Sequence, residues 1–219
     1  MLNRPIGIFG GTFDPIHFGH LRLAEEMLEL AQLQQIRFIP TGTPPHRGNP
    51  QVTAVQRSAM VGRAIADQPR FVLDEREVRR AHMCYTVDTL RELRQELGET
   101  QPLCLLMGGD AFLQLHTWQQ WETLFELAHI VVGCRPGFAI EDRIHTAPLS
   151  LQLQHQHRRC TAEALAQRAA GGIAILAIPK LEISATDIRA RVAEQRTIRY
   201  LLPKAVADYI YQHHLYLSC

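Results

Sequence analysis

Residues 6 to 20 read Ile-Gly-Ile-Phe-Gly-Gly-Thr-Phe-Asp-Pro-Ile-His-Phe-Gly-His, and this stretch restricts what the chain can fold into more than any other. A short apolar run breaks at two adjacent glycines, a polar turn follows, and two histidines three residues apart precede the helical pattern Leu21 to Leu28. The order is strand, tight loop, helix. Glycine removes the Cβ where a ligand must lie against the backbone, and a helix start offers unpaired N–H groups and a partial positive charge. His17 and His20 sit on one side of the first helical turn and can reach one anion together. Neutral imidazole donates one hydrogen bond and imidazolium two. A helix N-terminus disfavours imidazolium in an empty site, and a bound phosphate reverses that preference. A structural glycine turn with two surface histidines is the bland alternative, and it does not explain so particular an arrangement.

The alternation then repeats. Gln35 to Pro40 is a second apolar, partly β-branched run closed by proline, and further strand candidates are Arg70 to Leu73, Leu103 to Met107, His129 to Gly133 and Ile173 to Ile178. Helical patterns lie at Val55 to Ala66, Thr86 to Leu97, Trp118 to Leu127 and His157 to Ala169, with a last helix opened by Pro203. Strand, helix, strand is the right-handed crossover of a parallel sheet. The expectation is an α/β fold with a doubly wound parallel sheet, one domain over residues 1–219 with 181–219 as a small helical C-terminal subregion, and ligands beyond the carboxyl ends of the strands.

Formal net charge is +1, so no global field recruits nucleic acid or an acidic membrane surface, and any phosphate affinity is local. Cationic character rests on arginine, of which Arg76, Arg79, Arg80, Arg91 and Arg94 read as solvated charge. Cys84, Cys104, Cys134, Cys160 and Cys219 form no Cys-x-x-Cys pair, which argues against a disulfide framework and a zinc site. Cys104 and Cys134 read as buried thiols. No apolar run spans a bilayer and no secretory apolar region opens the sequence, so the expected location is cytoplasmic.

Each strand end carries polar residues. The second is followed by Thr41-Gly42-Thr43-Pro44-Pro45-His46-Arg47, a stiff loop with a base at its tip. Cys84-Tyr85-Thr86 stands before a helix and reads as a cap with outward N–H groups. Gly108-Gly109-Asp110 ends another strand, with Asp110 placed as a helix N-cap; Trp118 and Trp121 follow at helical spacing, Trp121 as core; and Arg135-Pro136-Gly137 ends the next strand. Residues 138–170 carry no chemical motif, and His155 and His157 read as surface residues. Ser184 and Asp187 approach a capping box at the start of a helical run that also holds Thr186, Arg189 and Arg191. There is no P-loop and no Gly-x-Gly-x-x-Gly after the first strand.

His17-x-Gly19-His20 resembles the phosphate-binding signature of the nucleotidylyltransferase superfamily, and nearly end to end the chain looks like the bacterial nicotinate-mononucleotide adenylyltransferases. That resemblance implies a Rossmann-like fold and transfer of an adenylyl group from ATP to nicotinate mononucleotide, giving deamido-NAD and pyrophosphate. It implies ATP contacts at Gly10, Gly11, Thr12, Phe13, His17, His20, His46, Arg47, Gly108, Asp110, Ser184, Thr186 and Arg189. His17, His20, Arg47 and Arg189 are the residues it implies for catalysis. For the mononucleotide it implies Tyr85 and Thr86 near the nicotinate carboxylate, Trp118 stacked on the pyridine, Asp110 between the two substrates, and Arg135. The family usually has serine where this chain has Cys84, a change that a backbone role tolerates. Arg191 is placed on another face of its helix. Magnesium is expected to arrive with the ATP phosphates rather than at a protein metal site.

A related enzyme acting on another phosphorylated acceptor such as phosphopantetheine, a nucleotide-binding module without turnover, and a metal-dependent hydrolase using Asp14, His17 and His20 are the alternatives. The Thr86, Trp118 and Arg135 matches disfavour the first, and the presence of His17, His20 and Arg189 together disfavours the second.

Overall fold

The computed structural model describes residues 3–43, 50–134, 140–179 and 181–217. Strands β1 (Ile6–Gly11), β2 (Gln35–Pro40), β3 (Phe71–Leu73), β4 (Leu103–Gly108), β5 (His129–Cys134) and β6 (Ile173–Ala177) form one sheet in the order β3-β2-β1-β4-β5-β6. β4 pairs in parallel with β1 and with β5, and β5 with β6. The order reverses between β1 and β4, where sheets of this kind leave a crevice beyond their carboxyl ends. Their interiors are buried along almost their whole length, as a sheet covered on both faces requires. The helices are α1 (Phe18–Leu30), α2 (Ala54–Ala64), α3 (Thr86–Leu97), α4 (Gly109–Leu113), α5 (Leu124–Leu127), α6 (Ile140–Arg143), α7 (Leu149–Arg158), α8 (Ala185–Ala193) and α9 (Lys204–Gln212). Among the described residues no helix is long and apolar enough to cross a membrane.

The chain forms two compact units: Met1–Phe9, Leu23–Arg37 and Tyr85–Lys180 in one, and Gly10–Arg22, Phe38–Cys84 and Leu181–Cys219 in the other. In the first, α1 packs closely on the sheet: a Cβ on Gly133 would stand 2.6 Å from a methyl of Leu23 and 2.8 Å from that of Met27. Only glycine admits that approach. In the second unit, Thr53 and Gln56 form a complete capping box on α2, which packs against α9 and lays Arg63 over the Tyr209 ring at 4.3 Å.

Several sequence expectations change here. The segment Trp118 to Leu127 is not one helix. Two 3-10 turns, Leu115–Thr117 and Trp121–Thr123, flank Gln120, whose backbone is left-handed at φ 48°, and α5 begins only at Leu124. Trp121 is half-buried rather than core, its ring edge-on to Phe125. The helix expected over His157 to Ala169 lies earlier, as α7; residues Glu163–Gln167 form only a 3-10 turn. The shift turns His155 inward with Leu151, four residues before it, against Phe112. His157 is exposed as expected.

Arg94 is not solvated. It is buried, and its guanidinium donates to the carbonyls of Leu127 (2.7 Å), Gly98 (3.3 Å), Gln101 (2.5 Å) and Ala169 (2.7 Å). These carbonyls lie just ahead of β4, β5 and β6 or at the end of α3, so one side chain ties the amino-terminal edge of the unit together. Arg76 is likewise drawn in, paired with Asp74 at 2.8 Å. Cys104 and Cys134 are buried as expected, and burial pushes both thiols up, Cys134 to about 11, which leaves them unreactive.

Candidate active site

The signature stretch begins as strand: Gly10 and Gly11 are the last residues of β1, and the turn runs from Thr12 to His17. A Cβ on Gly10 would enter open space, whereas one on Gly11 would meet the Phe13 ring at 2.9 Å. Phe13 itself is buried with φ 50°, its ring edge-on to His20 at 5.2 Å, so only its backbone faces outward chemistry. Helix α1 starts at Phe18, three residues earlier than the apolar pattern suggests, which sets His20 in its first turn.

There the His20 Nδ1 accepts from the His17 N–H at 3.3 Å, a capping arrangement that places the proton of the neutral ring on Nε2. The two imidazoles stack with centroids 3.8 Å apart and planes 24° from parallel. His17 is buried, and loss of water lowers its pKa to about 4, so it is neutral near pH 7. Its Nδ1 is buried without a partner.

A second helix start meets the first within this unit. A Cβ on Gly19 would stand 3.0 Å from the His17 ring and 3.4 Å from the Ile183 carbonyl oxygen, immediately before the α8 cap. Ser184 caps α8 by accepting from the Asp187 N–H at 3.1 Å. Thr186 Oγ1 accepts from Arg189 Nη2 at 3.3 Å. Each hydroxyl that accepts in this way keeps its own proton to donate. Arg189 reaches back to the first loop, donating through Nη1 to the Asp14 carbonyl at 2.7 Å and standing 3.9 Å from Asp14 Oδ2. Arg191 turns to Asp187 at 2.8 Å, on a different partner, as the sequence suggests.

Arg57 and Tyr216 were not legible as site residues, and Asp14 was weighed only as a metal ligand. Asp14 is buried, and its carboxylate accepts from the Tyr216 hydroxyl at 2.8 Å and from the Gln51 N–H at 3.1 Å. Both of its oxygens are thereby engaged. Arg57 of α2, fully buried, donates to the Thr12 carbonyl at 2.6 Å and the Gly42 carbonyl at 2.9 Å. Desolvation lowers the Arg57 pKa, but a guanidinium keeps its proton, so a fixed positive charge stands behind the loop. No sequence signal marks an arginine as buried when its partners are carbonyls of distant residues.

Tyr85, Thr86, Gly108, Asp110 and Trp118 fall in the first unit. Tyr85 occupies the N-cap position of α3 without a side-chain capping bond, and the helical ladder opens with Asp88 donating to the Tyr85 carbonyl at 3.1 Å. The amides of Thr86 and Val87 precede that ladder. Cys84, the last residue of a second-unit segment, is buried with Sγ 3.5 Å from the Glu77 carbonyl. Asp110 is not the N-cap of α4; Gly108 is, and Asp110 is the second helical residue, its side chain 80 % exposed and 3.5 Å from Arg143. A Cβ on Gly108 would enter open space. Trp118 is half-buried and extended, at the end of a 3-10 turn whose neighbour Gln120 accepts from Arg91 at 2.6 Å. His46, Arg47 and Arg135 lie outside the described residues.

A family model described as cytidylyltransferase-like matches residues 8–191. The probable nicotinate-nucleotide adenylyltransferase of Dechloromonas aromatica is 50% identical over 98% of this chain and 99% of its own. A protein of the same name from Aeromonas salmonicida is 46% identical over 99% of each chain. The solved structure of Plasmodium falciparum nicotinic acid mononucleotide adenylyltransferase complexed with NaAD superposes with a TM-score of 0.74 over 98% of each chain, a likeness of fold at 19% identity. From the matched span and these identities, the chain belongs to the cytidylyltransferase-like family and, within it, to the nicotinate-nucleotide adenylyltransferases.

Proposed function

We propose that the chain joins nicotinate mononucleotide to ATP, releasing pyrophosphate and forming nicotinate adenine dinucleotide. The observation that carries this reading at the level of chemistry is the meeting of two helix N-termini with His17, His20 and Arg189. That is a built site for a chain of phosphates.

The attacking atom is a phosphate oxygen of the mononucleotide, already ionised at neutral pH. It forms a bond to the α-phosphorus of ATP, and the bond from that phosphorus to the bridging oxygen breaks as pyrophosphate departs. No proton need be removed from the nucleophile, so the residues act by positioning and by stabilising charge. His17, His20, Ser184, Thr186 and Arg189 hold the triphosphate in this reading, with Gly10, Gly11 and the backbone of Thr12 and Phe13 beneath it. His46 and Arg47 add to that set. Arg57 supplies positive charge without reaching the ligand. Tyr85, Thr86, Trp118 and Arg135 receive the mononucleotide, and Asp110 bonds ribose hydroxyls.

ATP enters as its magnesium salt, with phosphate oxygens and water as the metal's ligands. Among the described residues no three of His, Cys, Asp and Glu are grouped to hold a metal ion. Cys84, Cys104, Cys134 and Cys160 are free thiols, which suits the reducing cytoplasm.

The test is pyrophosphate release from magnesium-ATP with nicotinate mononucleotide, nicotinamide mononucleotide or phosphopantetheine, each offered separately. Strong preference for the first is the expected result. Release with phosphopantetheine alone would keep the phosphate site and overturn the acceptor.

A further inference from the structure

The phosphate cluster is held from a direction that the reaction does not require. Residues far along the chain close on the first loop at three points: the Phe18 N–H donates to the Leu201 carbonyl at 3.0 Å, Arg189 donates to the Asp14 carbonyl at 2.7 Å, and the Tyr216 hydroxyl donates to Asp14 Oδ1 at 2.8 Å. The Gln51 N–H takes the other Asp14 oxygen at 3.1 Å. Asp14 and Tyr216 are both buried, so this carboxylate is oriented by its bonds and not by water. Burial beside the carboxylate pushes the phenol far above its ordinary range, and Tyr216 therefore stays a donor at every working pH.

Arg189 stands within 3.9 Å of the same carboxylate while its Nη1 grips the main chain of the same residue. The Asp14 carbonyl and Thr186 Oγ1 take the two Nη groups, and the carboxylate adds the attraction of its charge; if residue 14 shifts, carbonyl and charge move together, and a planar fork works on phosphate only when its plane is set. We infer that Tyr216 is a positioning residue for the triphosphate: its hydroxyl fixes Asp14 through the carboxylate, and Asp14 holds Arg189 through its carbonyl and its charge. Tyr216 touches no substrate. The inference rests on the functional reading above, since it assigns Arg189 to the phosphates.

Steady-state kinetics of the full chain test it, comparing the unmodified protein with Tyr216→Phe, Arg189→Ala and the double variant. Tyr216→Phe is expected to raise the KM for ATP about fivefold or more, leave that for nicotinate mononucleotide within about twofold, and add almost nothing in the Arg189→Ala background. A merely structural role would lower kcat through lost folded protein, shift both KM values alike, and add fully to Arg189→Ala; any of these, or unchanged kinetics, overturns the inference. Should Tyr216→Phe fail to fold, Asp14→Asn keeps an acceptor for the phenol and removes the charge beside Arg189. It must give the same ATP-selective, non-additive effect, or the inference falls. If the unmodified protein turns over none of the three acceptors, the functional reading falls, and calorimetric titration with ATP still decides: Tyr216→Phe must weaken ATP binding, and not further in the Arg189→Ala background.

Discussion

His17 is held neutral by burial, with its pKa lowered to about 4, and that has a measurable cost in acid. The unfolded chain, where the value is about 6.5, takes up a proton that the folded chain refuses. The contribution to stability is therefore complete above pH 6.5 and is lost as pH falls towards 4, by up to about 3 kcal/mol. Urea denaturation at stepped pH should show His17→Asn losing less stability than the unmodified protein across that window; parallel curves would mean that the ring is not excluded from protonation. His20 accepts the His17 N–H at Nδ1, and the proposed reading assigns it to the phosphates. His20→Ala should cut turnover by about a hundredfold or more with little change in melting temperature. Near-normal turnover would remove it from the phosphate set. The two histidines were legible because their types and spacing are the signal. Arg57 and Tyr216 were not, and Asp14 was weighed only as a metal ligand, because their partners lie 45, 202 and 37 residues away in sequence.

Elements with one strong local signal were read well, and those with competing signals were not. β1, β2, β4, β5 and β6 are apolar runs with no other satisfactory solution, and α8 has its cap serine in place. Trp118 to Leu127 looked helical from its apolar spacing, but Gln120 takes a left-handed backbone and is held there by Arg91 across the unit. A left-handed residue ends a right-handed helix whatever the apolar spacing on either side. Its result is that Trp118 ends a turn half-exposed instead of filling a helix face. A half-exposed indole suits a ring platform for the pyridine. Trp118→Ala should raise the KM for nicotinate mononucleotide about tenfold or more while that for ATP stays within about twofold. Equal effects on both would make the ring packing alone.

For the molecule as a whole, the alternation of strands and helices announced a parallel sheet, and the observed order bears out the doubly wound expectation. What composition concealed is how the amino-terminal edges of its strands are secured. Arg94 looked like one more surface charge on an amphipathic helix, yet it donates to four carbonyls, one of which, Ala169, also accepts from the Leu103 N–H at 3.2 Å. Arg94→Leu keeps an apolar stem and takes a donor from each of those acceptors, and should lower unfolding free energy by about 3 kcal/mol or more, read from the urea midpoint. KM values of the protein that remains folded should not move, because the arginine lies at the strand ends away from the ligand edge.

The bond between Asp14 and Tyr216 joins residues 202 apart, and with it the order of synthesis enters. A nascent chain released through β6 already carries every strand of the sheet, and strands with nearby partners can settle as they emerge. The loop that grips phosphate cannot settle with them. It waits for α8 to bring Arg189 and then for Tyr216. Synthesis thus completes the strands of the sheet before the residues that fix the Asp14 loop, and on the proposed reading a chain stopped short of Tyr216 should bind ATP more weakly.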